Sequence, residues 1–177
     1  MKDRPRHSQM LNHSNGKMSN RDHPIKEYMG NLSILEQPKT TFLCSRQVPA
    51  DAVLKCYDWA IQMREAGRCV ISGFHSPLEQ DVLHYLLKGK QPVIMALARG
   101  LKRTWEPEIQ KALEEKRLLI ITPFSESVKR ASADTAAVRN DLMIKLANEV
   151  VVGYANSEGI LSRRLGLEHE KKVVFLT

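Results

Sequence analysis

Leu118-Leu119-Ile120-Ile121-Thr122 is the stretch that decides the fold. Its continuous apolar run is typical of a strand buried on both faces, the mark of a parallel sheet. Parallel strands need long crossover connections, usually helical, and the flanking sequence supplies them. Upstream, Thr41 to Cys44, Cys69 to Ser72 and Pro92 to Leu97 read as strands. Downstream, Glu149 to Tyr154 and Lys172 to Leu176 read the same way.

The segments between them carry helical spacing. Val53, Tyr57 and Ile61, flanked by Leu54 and Ala60, mark a helix from Ala50 to Gly67. Leu78, Val82, Tyr85 and Leu86 mark a second, entered at Pro77 and closed near Gly89. A shorter helix is expected from about Glu106 to Lys116. Val138, Leu142 and Leu146 stripe another, with Arg139-Asn140 at its start, and a last short one spans about Leu161 to Leu167. About six strands separated by helices predict an α/β fold of Rossmann type: a doubly wound, mostly parallel sheet with helices on both faces. The folded domain is expected over residues 41–177.

Composition agrees with a globular chain: 177 residues, 42% hydrophobic and 27% charged. The net charge of +7 is concentrated near the start, where residues 1–26 hold six Lys and Arg against Asp3 and Asp22. That stretch is poor in apolar residues, so residues 1–26 read as a disordered basic arm and 27–40 as a transition. Such an arm can add sequence-independent affinity for nucleic acid, or be a solvated leader without a role. No apolar run suits a membrane span or a signal peptide. Cys44, Cys56 and Cys69 are widely spaced and form no CxxC pattern. Reduced thiols and a cytoplasmic location are therefore expected, with neither metal site nor cofactor.

In a sheet of this kind ligands bind beyond the carboxyl ends of the strands. The loops there are candidates for a phosphate site. Ser45-Arg46 follows the first of these strands, offering a hydroxyl and a guanidinium. Ser72-Gly73-Phe74-His75-Ser76-Pro77 follows the second. There Gly73 permits close approach or positive φ, and Ser76-Pro77 opens a helix whose free N–H groups suit an anion. Arg139 is a further candidate phosphate clamp, and Asn140 could read a base edge or pin the loop. Asn156-Ser157-Glu158-Gly159 makes a fourth polar turn. The stretch Arg99 to Trp105 is the most basic of the folded part, and Trp105 could stack on a base or cover a helix start. Neither GxGxxG nor a Walker A loop is present.

On these residues the chain resembles the DNA-processing protein A (DprA/Smf) family and, more broadly, the Rossmann-like superfamily that includes nucleoside-monophosphate phosphoribohydrolases. The family's Gly-Ser-Arg turn reads Cys44-Ser45-Arg46 here, its Ser-Gly is Ser72-Gly73, and its Arg-Asn signature is Arg139-Asn140. Its Ser-Gly-Ser-Leu turn is loosely matched at Ser157 to Leu161, and its last strand at Val173 to Phe175. His75-Ser76-Pro77 stands where the family carries Arg-Gly. The resemblance implies a non-enzymatic binder of single-stranded DNA, involved in DNA processing or uptake. Ser45, Arg46, Ser72, Gly73, Phe74, His75, Arg139, Asn140, Ser157, Glu158 and Gly159 are its expected contacts, and none is expected to be catalytic.

Two other readings stay open. One is a small module that binds or senses a nucleoside phosphate, with no nucleic-acid role. The other is a nucleotide hydrolase with Glu158 as its acid, but the phosphoribohydrolase Pro-Gly-Gly-x-Gly-Thr-x-x-Glu loop is absent. A homodimer is compatible with any of the three.

Overall fold

The computed structural model describes residues 25–166 and 171–176. The basic arm, all but its last two residues, lies outside them. Seven strands form one sheet: β1 (Glu27–Gly30), β2 (Lys39–Cys44), β3 (Cys69–Ser72), β4 (Val93–Ala96), β5 (Leu118–Thr122), β6 (Glu149–Tyr154) and β7 (Val173–Phe175). Five helices connect them: α1 (Ala50–Glu65), α2 (Pro77–Leu87), α3 (Pro107–Glu114), α4 (Ala133–Leu146) and α5 (Ile160–Leu165). Spatial order is β1-β5-β4-β3-β2-β6-β7, parallel throughout except for β1.

Alternation along each strand builds two cores. Phe42, Val70, Ile120 and Val151 face α1, α2 and α3, where Trp59 stacks on Phe42 at 4.9 Å between ring centroids. Leu43, Ile71, Ile121 and Val150 face the other way, against Leu142, Met143 and Ile144 of α4. Leu118 to Ile121 are wholly buried, as a strand covered on both faces requires.

Residues 27–40, expected as a transition, take part in the sheet. β1 runs antiparallel to β5, with Tyr28 opposite Ile121, and a 3-10 turn (Leu32–Glu36) then buries Ile34. β2 also begins at Lys39, two residues earlier than expected. An edge strand can be very short, so Glu-Tyr-Met-Gly gives little signal. Gly30 makes the exit, with φ of 102° and Leu118 O too close to admit a side chain.

The strand order sets the candidate edge. From β2 the chain steps through β3 and β4 to β5, then returns by α4 to lay β6 on the other side of β2. Strand order reverses between β2 and β6, which opens a crevice beyond their carboxyl ends. Among the described residues, no helix is long and apolar enough to cross a membrane.

Candidate nucleic-acid interface

Three loops and one helix meet at this crevice. Cys44 of β2 leads into Ser45, whose N–H donates to Tyr154 O at 2.8 Å. The Ser45 hydroxyl accepts from the Asn156 N–H at 3.2 Å, tying the β2 and β6 loops together. Asn156 organises its own turn: its side chain accepts from the Glu158 N–H, and its carbonyl accepts from Gly159 N and the Ser162 hydroxyl. Ser157 and Glu158 lie exposed in that turn, and Gly159 caps α5.

Arg139 comes from the middle of α4, not its start. The helix begins six residues earlier than Arg139, at Ala133, because Ser132 and Thr135 cap it reciprocally. One helical turn beyond that first turn, the Arg139 side chain runs down onto the sheet edge and is 7% exposed. Its Nε and Nη2 donate to Asn140 Oδ1 at 3.1 and 2.9 Å, so Asn140 holds the guanidinium plane. Nη1 lies against Gly73: a Cβ there would fall 2.1 Å from it. Gly73 thus serves close approach, and the positive φ of this loop belongs to Phe74, at 46°.

No carboxylate forms an ion pair with Arg139 among the described residues. Burial pushes its guanidinium below the usual arginine range, Glu79 pulls it back up, and Arg46 presses it down again. Two guanidiniums therefore sit within electrostatic reach of each other. Glu79 is occupied elsewhere: Oε2 accepts from the N–H groups of His75 and Ser76 at 3.0 and 2.9 Å, closing the capping box of α2. The Ser76-Pro77-Leu78-Glu79 pattern announces that box in the sequence.

The remaining expected contacts divide. Arg46 and His75 are exposed beside the crevice. The Ser72 hydroxyl is buried and donates to Phe42 O at 2.8 Å, so it fixes β3 to β2 and does not face a ligand. The Phe74 ring is 5% exposed and packs in the core, so it presents no stacking face. Trp105 is buried as well, covering the start of α3 while its carbonyl accepts from Gln110.

A second cationic feature lies further along the same edge, where β4 and β5 end. Arg99, Lys102, Arg103 and Lys129, with Glu126 the single acid, line a groove of about 340 Å³. Gly100 lets its walls meet, since a Cβ there would strike Ser125 O at 2.4 Å, and its N–H donates to Val128 O. The Thr122 hydroxyl donates to Arg99 O at 2.6 Å and holds the floor. Arg99 Nε is buried without a hydrogen-bond partner.

A mostly parallel sheet with a strand-order reversal and cationic loops at its carboxyl edge defines a Rossmann-like α/β protein. The chain belongs to the DNA recombination-mediator protein A family, whose model matches residues 14–177. Among solved structures it is similar to DNA processing protein A (DprA) of Streptococcus pneumoniae: 18% identity, 84% of this chain and 53% of that one, TM-score 0.68. It is also similar to DNA processing protein A of Helicobacter pylori, described with a unique single-stranded DNA binding mode: 19% identity, 88% of this chain and 74% of that one, TM-score 0.70. The molybdenum cofactor carrier protein of Chlamydomonas reinhardtii shares the fold more loosely, at 14% identity, 78% of this chain and 75% of that one, TM-score 0.51. At such identities these likenesses concern the fold alone. The chain spans about half the length of the Streptococcus protein, 53%. No curated protein matches it in sequence.

Proposed function

We propose that this chain binds single-stranded nucleic acid without reacting on it. Phosphates are held at Arg139 and Arg46 in the crevice, and the strand continues along the cationic groove at Arg99, Lys102, Arg103 and Lys129. The observation that carries this reading is Arg139: a buried guanidinium, oriented by Asn140 and seated on Gly73, with no carboxylate paired to it among the described residues. Burying an unpaired charge is costly, and a phosphate oxygen would complete the site with charge-assisted hydrogen bonds. The described single-stranded DNA binding of the Helicobacter protein supports the same reading.

Because Phe74 and Trp105 are both buried, affinity would come from charge more than from base stacking. Binding is then expected to be steeply salt-dependent and weakly selective for base. Each single-strand phosphate contact contributes a slope of about −0.7 in log K against log salt.

Fluorescence anisotropy of a labelled single-stranded oligonucleotide, titrated with the full chain at several salt concentrations, tests this. The expected result is salt-sensitive binding that Arg139→Met weakens and a nucleoside monophosphate displaces poorly. Efficient displacement by the monophosphate would favour a small-nucleotide module. Binding that is indifferent to Arg139 would overturn the site.

A further inference from the structure

Cys44 closes β2 and leads directly into Ser45-Arg46, while Cys56 lies on the buried face of α1. Sheet register sets Cys44 beside Tyr154 of β6. The preceding residue, Gly153, has the sulfur of Cys56 standing over it: a Cβ there would fall 2.6 Å from Sγ. The helix therefore lays Cys56 onto the sheet beside the end of β2, and Cys44 packs against the same core cluster that holds Cys56. Both are free thiols; Cys56 is wholly buried and Cys44 partly exposed. Cys69 begins β3 beside Lys39, at the opposite end of β2, and packs in the other core. It cannot compete for either partner.

We propose that Cys44 and Cys56 form an oxidisable dithiol that closes to a disulfide under a peroxide-class oxidant, and that closure weakens the neighbouring anion site. The sulfur of one thiolate attacks an oxygen of hydrogen peroxide, giving a sulfenic acid and a hydroxide that takes up a proton. The second sulfur then displaces the sulfenic hydroxyl as water. Two thiols and one peroxide become one disulfide and two waters.

The surroundings favour this chemistry. The neighbouring Cys56 raises the Cys44 thiol far above its ordinary range, with burial adding to the effect. The same pairing holds Cys56 below its ordinary value, against burial. Cys56 is thus the sulfur that reacts first, and the partly exposed Cys44 beside it leaves a small oxidant a path to the pair.

A disulfide holds its sulfurs about 2.05 Å apart, closer than any thiol hydrogen bond. Closure thus draws the end of β2 toward α1 and displaces Ser45 from Asn156. That last consequence rests on the functional reading above; the disulfide itself does not.

The test treats the full chain with hydrogen peroxide, alkylates the remaining thiols, and maps non-reduced peptides by mass spectrometry. The expected result is one new bond, Cys44 to Cys56, with Cys69 alkylated alone and the pair recovered by a reducing agent. Oxidised protein should bind the oligonucleotide several-fold more weakly, and Cys56→Ala should bind normally and lose peroxide sensitivity. Should that variant fail to fold, Cys44→Gly carries the same comparison. Separate alkylation of both thiols after peroxide, or a bond to Cys69, would overturn the dithiol. A Cys44–Cys56 disulfide with unchanged affinity would overturn its coupling to the site. Absence of oligonucleotide binding in reduced protein would count against the functional reading while leaving the peptide map to decide the dithiol.

Discussion

The guanidinium of Arg139 lies flat against Gly73, close enough that a single methyl on Gly73 would stand 2.1 Å from Nη1. Gly73→Ala is therefore expected to expel the guanidinium from its seat. The φ of Gly73 is not in the left-handed region, so the backbone tolerates the change. Oligonucleotide affinity should fall about tenfold, the loss of one charge-assisted hydrogen bond of about 1.5 kcal/mol, while the thermal midpoint stays close to wild type. Unchanged affinity in the anisotropy titration would mean the ligand does not reach Nη1.

Arg139→Met separates binding from stability. The side chain is 7% exposed, has no carboxylate partner among the described residues, and hydrogen-bonds to Asn140. An apolar chain of similar length removes a buried charge, so stability should be unchanged or rise by about 1 kcal/mol. Affinity and salt slope should both fall. Urea denaturation and anisotropy on the same variant give the two values.

Glu79→Gln gives the opposite change in affinity. Glutamine can still accept from His75 N and Ser76 N and keep the capping box, yet the carboxylate that acts on Arg139 is gone. Anion affinity should rise several-fold at low salt. A loss of affinity would show that Glu79 orients the site and does not compete with the phosphate.

Tyr57 supplies an alkaline signature. Its hydroxyl donates to Asp81 Oδ2 at 2.6 Å. That hydrogen bond, aided by burial and by the Asp81 charge, pushes the phenol up to about 12. A phenol raised above its unfolded value of about 10 adds stability that is fully present below that value. The contribution is lost as pH climbs through about 12. Asp81→Asn should bring the phenol back toward its ordinary range, read as an earlier rise of tyrosinate absorbance.

Legibility in the sequence followed the number of faces each residue buries. Strands covered on both sides, such as Leu118–Thr122, stood out as apolar runs because both neighbouring layers select the same chemistry. β1 did not, since only Tyr28 and Met29 pack and each sees one side. The start of α4 was hidden because Ser132 and Thr135 form a capping box without the usual glutamate or glutamine, so Ala133 to Ala137 read as loop. At the site, Gly73 and Ser45 could be set at the carboxyl edge from strand ends alone, whereas Arg139 reaches that edge from the middle of α4. The inward turn of Ser72 and Phe74 could not be read, because a hydroxyl bond to Phe42 and a left-handed φ are decided by tertiary packing.

The strand-order reversal between β2 and β6 draws Ser45, Gly73, Arg139 and Asn156 from four separate parts of the chain. No fragment that keeps only one βαβ unit contains all four, since Ser45 meets Asn156 only when β2 and β6 pair and Arg139 meets Gly73 only when α4 docks. On the proposed reading, ligand affinity is thereby tied to the assembly of these elements and not to one loop. A bound phosphate stabilises all four elements together by mass action, so hydrogen exchange should slow across β2, β3 and β6 at once when the site is filled.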